Sequence, residues 1–595
     1  MFLKKIIVYI HHFATFVKKN SSMKKLLSFL SKNKLYFVVF AVLVHTYIVH
    51  IATHVSGDQL IQIASVNNFL NGHGFTISSI DTNTYQVQYT KLEDWPLGYS
   101  LLVAPLLKIT NYNFDLSELL MYFFSYLLLF FTTYKILLLI IPKEKQWSIS
   151  ILFIFFTFAH TPFRHLTSTD LLTVGFYLLI IYLIIIFFYK PHSLVKEILL
   201  ILSISLLSAF LSFLRYAYYP HTLSIFCFFI LGAIFFKIKI TWKTIFYTFI
   251  IFSISALFTY FQINSQTYSL NLASQFLSGD ATIINSAATF LYSPFFNAFF
   301  TDYIIYNFYF QISVSLSIPL ILFVSISFAS LILLFFLIII TYRSFKYLIN
   351  IIFKKNKDSF DSTHQPILNF INCTAIFTII CNLLFMFIIY KGFPFSWERL
   401  LGKSYLYESY PVISRYIVLT YYFTIIVFYL FIILNKINFL KKIIISLFIF
   451  SFIFQFTHWI YLRSKFSLYD RNENLSQLDF PSGCNSDLIE LNNKISEEKK
   501  KLIYIISEAT HINNYRHPSS VGLVQANGGI IATPRTFLAL KNKKFLQNYK
   551  VIVAKDFSPE DSLINEILLK TPNTPYVNLN NCDLKLYQLT MNTND

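Results

Sequence analysis

The sequence predicts a polytopic α-helical membrane protein with about eleven transmembrane helices, interfacial helices in its first outside loop, and a small C-terminal extracytoplasmic α/β domain. Three observations carry that expectation. Hydrophobic residues make up 55% of the 595 residues and charged residues only 13%, where a soluble globular chain carries about 25% charged. The apolar residues, 68 of them Phe, lie in runs of about 20, the length that spans a hydrocarbon core. Lys and Arg concentrate in alternate connecting segments, as the positive-inside rule requires. This composition excludes a disulfide-stapled secreted domain, a disordered chain and an ordinary soluble enzyme.

The apolar runs predict helices over 35–53, 117–141, 147–160, 170–189, 196–214, 217–236, 243–262, 311–342, 366–390, 416–435 and 442–461. The stretch 97–109, LGYSLLVAPLLKI, is too short to cross and reads as a helix lying in the interface. With the N-terminus cytoplasmic, the inside segments carry 23 Lys and Arg and the outside loops 8. A twelfth crossing at 97–109 would turn the basic segment 343–365 outward, so eleven crossings are favoured. The organisation is then a cytoplasmic segment 1–34, a membrane domain 35–462 with large outside loops 54–116 and 263–310, and an outside α/β domain 463–595. The net charge of +19 becomes a topology signal and an attraction to anionic membrane lipids, not a nucleic-acid footprint. Residues 1–22 show no small-residue cleavage site and read as uncleaved, with Met23 as an alternative start.

Loop 54–116 is patterned. DQLIQIASVNNFLNG places Leu60, Ile61, Ala64, Val66 and Phe69 on a helical stripe that Asn71-Gly72 closes. A polar Thr/Asn/Gln-rich stretch and the turn at Trp95-Pro96 follow. In the tail, KKLIYIISE, VGLVQ, YKVIVAKD and DLKLYQLT read as strands, SPEDSLINEILLK as a helix and Asn527-Gly528-Gly529 as a turn. Cys227, Cys373 and Cys381 fall in membrane spans as small buried side chains. Cys484 and Cys582 share the tail, where a bridge and two free thiols are both open.

Charges at membrane borders are scarce, so each needs a reason. Asp58 directly follows the first span. It either caps the helix 58–70 or serves as a general base at the bilayer surface. Asp170 opens the fourth span with Ser168 and Thr169 before it, and Arg164 is a candidate ion-pair partner. Glu93 and Asp94 are weaker acidic candidates. Arg215 ends the fifth span, Arg415 with Tyr416 opens the tenth, and Lys391, Arg399 and Lys403 lie before it. These cations either snorkel beside tyrosines or attract an anion at the outer face, and the planar fork of Arg suits phosphate. Carboxylates and cations facing one surface fit a reaction on a lipid-linked phosphate: a base deprotonates an acceptor hydroxyl while cations stabilise the departing phosphate.

HVSGDQLIQIASVNNFLNGHGFT followed by DWPLGYSLLVAPLL resembles the first outside loop of GT-C membrane glycosyltransferases, most closely bacterial relatives of protein O-mannosyltransferases and of the lipid A aminoarabinose transferase. Asp58, Gly72, Gly74, Pro96, Leu97 and Tyr99 match the pattern in order. SFLRYAYYP, SRYIVL and TSTD resemble further segments of that family. The resemblance implies transfer of a sugar from a polyprenyl-phosphate donor to a lipid, glycan or protein acceptor, at the periplasmic face of a bacterial inner membrane. It makes Asp58 the general base, gives Asp170 a place in binding donor or acceptor, and assigns the donor phosphate to Arg415 and Arg215. It implies inversion at the anomeric carbon, and no residue demands a metal cofactor. Where the protein mannosyltransferases carry two adjacent acids, Asp58 is followed by Gln59, which leaves the acceptor open.

Two other classes compete. A polymerase or ligase of lipid-linked glycans would be expected to carry Arg in the large loop 263–310, which has neither Lys nor Arg. A transporter or flippase often shows an internal repeat and charges near the midplane; no repeat is evident, and Lys135 is the lone mid-helix charge.

Overall fold

A computed structural model describes residues 21–52, 57–80, 87–92, 96–111, 113–158, 168–215, 219–237, 241–265, 295, 299, 318–354, 364–392, 418–435 and 439–465, and in the C-terminal part 490–491, 494–495, 501–506, 524, 527–540, 546, 549–556, 562–579 and 584–590. The chain divides into two compact units, residues 1–49 with 122–461 and residues 50–121 with 462–595.

The first unit is a helical bundle. It begins with α1 (Ser21–Lys32) and α2 (Lys34–Ala52), which meet at a bend of 66°. Asn33 makes that bend. Its side-chain and backbone N–H both donate to the Phe29 carbonyl, ending α1, while its own carbonyl accepts from Tyr36 N–H to start α2. The bundle continues with α5 (Phe114–Ile140), α6 (Trp147–Phe158), α7 (Ser168–Tyr189), α8 (Leu194–Leu214), α9 (Tyr219–Lys237), α10 (Trp242–Ser265), α11 (Ile318–Lys354), α12 (Gln365–Gly392), α13 (Val418–Leu434) and α14 (Phe439–Lys465). Helices α3 and α4 belong to the second unit. Each apolar stretch picked out in the sequence is helical over its described residues. Among the described residues, seven helices are long and apolar enough to cross a membrane, and the bent α1–α2 pair adds an eighth if it is one span. The chain is therefore a polytopic helical membrane protein.

Helix α13 is the centre of the bundle, with every residue from Val418 to Phe431 buried. Its polar groups must be matched from neighbouring helices, because hydrocarbon offers no alternative partner. The Tyr422 hydroxyl meets Thr133 of α5, the Tyr429 hydroxyl lies 2.8 Å from Ser148 of α6, and Lys145 Nζ donates to the Ile433 carbonyl at 2.9 Å. Helix α6 is described over 12 residues, and His45 of α2 places its Nε2 2.8 Å from the α6 carbonyl of Phe156. Phe295 and Phe299, from the segment expected as an outer loop, are buried in the bundle core. Ser330 accepts from the Phe295 N–H, Ser451 and Gln455 donate to the Phe299 carbonyl, and the Phe299 ring stacks on Phe428.

The second unit joins residues 50–121 to the C-terminal segment 462–595. Its seven-stranded sheet has the order β2-β1-β4-β3-β5-β7-β6. Strands β1 (Thr76–Ile80) and β2 (Val87–Lys91) come from loop 54–116. Strands β3 (Lys501–Ile505), β4 (Ile530–Ala532), β5 (Tyr549–Asp556), β6 (Asn573–Leu579) and β7 (Leu584–Leu589) come from the tail. Strand β1 pairs in parallel with β4 through Ser79 and Ile531, and Ser78 Oγ donates to the Gly529 carbonyl at 3.4 Å. The loop and the tail thus share one hydrophobic core, in which Ile80 joins Ile503, Ile505, Ile530, Phe537, Val551 and Ile567. The run VGLVQ, expected as a strand, has only Val524 described, and it is helical. The strand lies instead at Ile530–Ala532, beyond the Asn527-Gly528 turn. Helices α15 (Pro534–Leu540) and α16 (Ser562–Lys570) connect the tail strands.

Helix α3 (Gly57–Leu70) leads into this hairpin and α4 (Gly98–Ile109) follows it. Tyr99, Val103 and Leu107 recur every four residues and are fully buried, while Leu101 and Ile109 are exposed. That is the one-sided burial expected of a short packed helix. The two helices meet where Ser100 Oγ lies 3.4 Å from both Ser65 Oγ and the Gln62 carbonyl. Gly72, at φ +87°, ends α3 in the left-handed region that glycine enters at little cost.

Gly529 tests the shared sheet. A Cβ there would come within 2.8 Å of the Val524 carbonyl oxygen, the atom that accepts the Gly529 N–H. Gly529→Ala is expected to destabilise the second unit by about 1–3 kcal/mol and to release β1 with β4. Limited trypsin digestion should then cut faster after Lys91 in β2 than in the parent protein.

Candidate functional site

The fold brings two of the singled-out charges together. Asp170 lies in the first turn of α7 and Arg215 follows the last residue of α8. The Arg215 guanidinium forms an ion pair with the Asp170 carboxylate. Asp170 is 0% exposed and Arg215 8%. Each charge sits at the helix end whose dipole favours it, the acid at an N-terminus and the base at a C-terminus. Arg215 itself has extended backbone, at φ −156° and ψ 133°, and its N–H bonds back to the Leu211 carbonyl. Arg164, the candidate partner offered by the sequence, lies outside the described residues, and Arg215 reaches Asp170 from the next helix.

The backbone around the pair is pinned. Ser125 of α5 donates to the Ser168 carbonyl at 3.1 Å, and Thr173 donates to the Thr169 carbonyl. On the other side, Ser208 of α8 donates to the Thr222 carbonyl of α9 at 3.3 Å and accepts from Ser255 of α10 at 2.9 Å.

A second polar group lies below, and the sequence reading passed over it. Tyr177 is seven residues along α7 from Asp170, on the same face. Its hydroxyl is 2.8 Å from Thr378 of α12 and 3.4 Å from Ser224 of α9, and its ring packs edge-on against His221 at 5.8 Å. His221 Nε2 lies 3.3 Å from Asn382 Nδ2, and Asn382 Oδ1 accepts from Thr420 of α13 at 3.0 Å. His221, Asn382 and Thr420 are all buried. A histidine and an asparagine inside apolar runs were the available signal.

Asp58 belongs to the second unit. It is the second residue of α3, which starts at Gly57, so it falls inside the first turn and not at the capping position. An acid there is still favoured by the helix dipole. Its side chain lies outside the described residues, as do Glu93, Asp94, Lys391, Arg399, Lys403, Arg415, Tyr416, Cys484 and Cys582. Cys227, Cys373 and Cys381 are free thiols. Among the described residues, no group of three or more His, Cys, Asp and Glu converges to hold a metal ion.

Compared with known proteins, the chain matches no protein-family model, no curated protein and no solved structure. The fold alone defines its class, a polytopic helical membrane protein with a mixed sheet assembled from an early loop and the C-terminal part of the chain.

Removing one member of a buried ion pair strands the other charge, which costs about 3–5 kcal/mol. Asp170→Asn and Arg215→Gln are each expected to lower thermal stability in detergent by that order. The double variant should lose clearly less than the two losses added together. Additive losses in the melting curves would show that the two groups do not act as a pair.

Proposed function

We propose that this protein is an integral-membrane glycosyltransferase of the GT-C type, moving a sugar from a polyprenyl-phosphate donor to an acceptor hydroxyl. The observation that carries the reading is the Asp170–Arg215 pair. A buried ion pair contributes little net stability compared with apolar packing, and ionisable groups held inside a membrane bundle mark functional sites. The resemblance of loop 54–116 to the catalytic loop of that family supplies the chemistry. The arrangement of α3, its glycine stop and the packed α4 agrees with it.

On this reading the Asp58 carboxylate takes the proton of the acceptor hydroxyl. The acceptor oxygen forms its bond to the anomeric carbon as the carbon–oxygen bond to phosphate breaks. The polyprenyl phosphate leaves with the electron pair, and the configuration inverts. Arg415 stabilises the charge that develops on the phosphate. Arg215 adds directional hydrogen bonds more than charge, because its pair with Asp170 is neutral overall, and Asp170 orients the guanidinium. All eleven apolar helices cross the membrane, with the N-terminus cytoplasmic and residues 463–595 at the periplasmic side of a bacterial inner membrane. The counts of Lys and Arg on alternate segments support that topology.

Asp58→Asn provides the test. In cells that make the variant at normal membrane levels, mass spectrometry of envelope glycans should show loss of the same sugar that is missing from a deletion strain. A lost general base lowers the transfer rate by about 10²–10⁴-fold. A variant that restores the sugar as well as the parent protein removes the base from Asp58 and favours a transporter or a glycan ligase.

A further inference from the structure

We infer that Asn382 is a positioning residue for Arg215, acting through a buried hydrogen-bond relay from α13 to the α8–α9 corner. The inference rests on the reading that Arg215 contacts a lipid-linked phosphate.

The relay has three members on three helices. The Thr420 hydroxyl of α13 donates to Asn382 Oδ1 at 3.0 Å, and the Asn382 amide of α12 reaches His221 Nε2 of α9 at 3.3 Å. Thr420 is fully buried, His221 fully buried and Asn382 1% exposed. A primary amide suits the middle position because it accepts at one end and donates at the other. Leu fills nearly the same volume and can do neither. With no water to compensate, each link is obligatory for its neighbours.

The relay ends at the corner that carries the arginine. His221 is the third residue of α9, and Arg215 terminates α8 six residues earlier. The same corner is held on its α8 side by Ser208 on the Thr222 carbonyl, immediately after His221. Ser224 donates to the His221 carbonyl at 2.7 Å, which fixes the first turn of α9. Tyr177, from the face of α7 that bears Asp170, packs edge-on against the His221 ring and bonds Thr378 of α12. Both partners of the ion pair are thus referenced to α12: Asp170 through Tyr177 and Thr378, and Arg215 through His221 and Asn382. Asn382 and His221 join α12 to α9. Their effect is to set where the α8–α9 corner stands relative to α7.

The full chain in lipid nanodiscs, titrated with farnesyl phosphate, tests this, with farnesol as the uncharged control. Arg215→Gln is expected to weaken farnesyl phosphate binding about tenfold, and Asn382→Leu by a similar factor. The double variant should bind no worse than Arg215→Gln alone, because Asn382 acts only through Arg215. Losses that multiply, or an Asn382→Leu protein that binds like the parent while Arg215→Gln does not, overturn the relay. Thr420→Val removes one hydroxyl at constant shape and should reproduce part of the Asn382→Leu effect. A second readout does not depend on phosphate. The coupling between Asp170→Asn and Arg215→Gln in melting temperature should fall by at least half in an Asn382→Leu background. If that coupling falls but Arg215→Gln leaves farnesyl phosphate binding intact, the relay holds and the phosphate role of Arg215 is lost. If the coupling is unchanged, the relay is wrong whatever the binding shows.

Discussion

Hydrocarbon offers a polar atom no partner, and that single constraint organises the bundle. Backbone groups are satisfied by helix formation, but helix ends and polar side chains are not. The structure meets the remainder locally. Many Ser and Thr hydroxyls turn back to a carbonyl one turn earlier, as Thr46 does to Val42 and Thr133 to Leu129. Others reach across to a neighbouring helix, as Ser148 does to Tyr429. Close approach of helices is provided separately. At Gly232 a Cβ would lie 2.8 Å from the Phe188 ring, and at Gly175 3.0 Å from Leu128, the small-residue contact that membrane helices favour. Polar satisfaction decides which helices are joined, and small residues decide how near they come.

The Asp170–Arg215 pair is the strongest expression of that constraint. Either charge alone would be expensive in the bundle. Together they are neutral, and each also interacts with the helix end that carries it. The two helices meet at one end, so their favourable termini are side by side. An ion pair held this way can present a guanidinium at a defined angle, where a lone arginine would snorkel toward water.

Much of the helical architecture was legible in composition and periodicity, because apolar runs of bilayer length have few alternative structures. Four features were not. The β1–β2 hairpin is built from TISSI, which is buried or half-buried, and VQYTK, which is largely exposed; each run has five residues with two large apolar ones, too few to mark a strand by alternation. Phe295 and Phe299 enter the bundle from a segment whose apolar residues come in short runs broken by Asn, Ser, Thr and Asp, too short to read as a membrane span. The Asp170–Arg215 pair joins the ends of two successive helices, which only their packing brings together. The Asn382 link was hidden for a different reason. One amide in an apolar run carries no periodic signal, and its meaning depends on what three other helices place beside it. What was legible at the candidate site was the scarcity of charges, and what was not was their pairing.

The sheet of the second unit joins Ser78 to Gly529 across 451 residues, and this has a consequence for how the protein is made. At about 5–20 residues per second, roughly 20–90 s of translation separate the hairpin from the strand that receives it. Throughout that interval β1 is an unpaired edge, and most of the membrane helices are being inserted between the two halves. An edge that must wait is safest when it is polar, and Ser78 and Ser79 make the middle of β1 so. A segment synthesised after the membrane helices therefore completes the loop that begins directly after the first of them, and a ribosome that stops before it leaves that loop without its sheet.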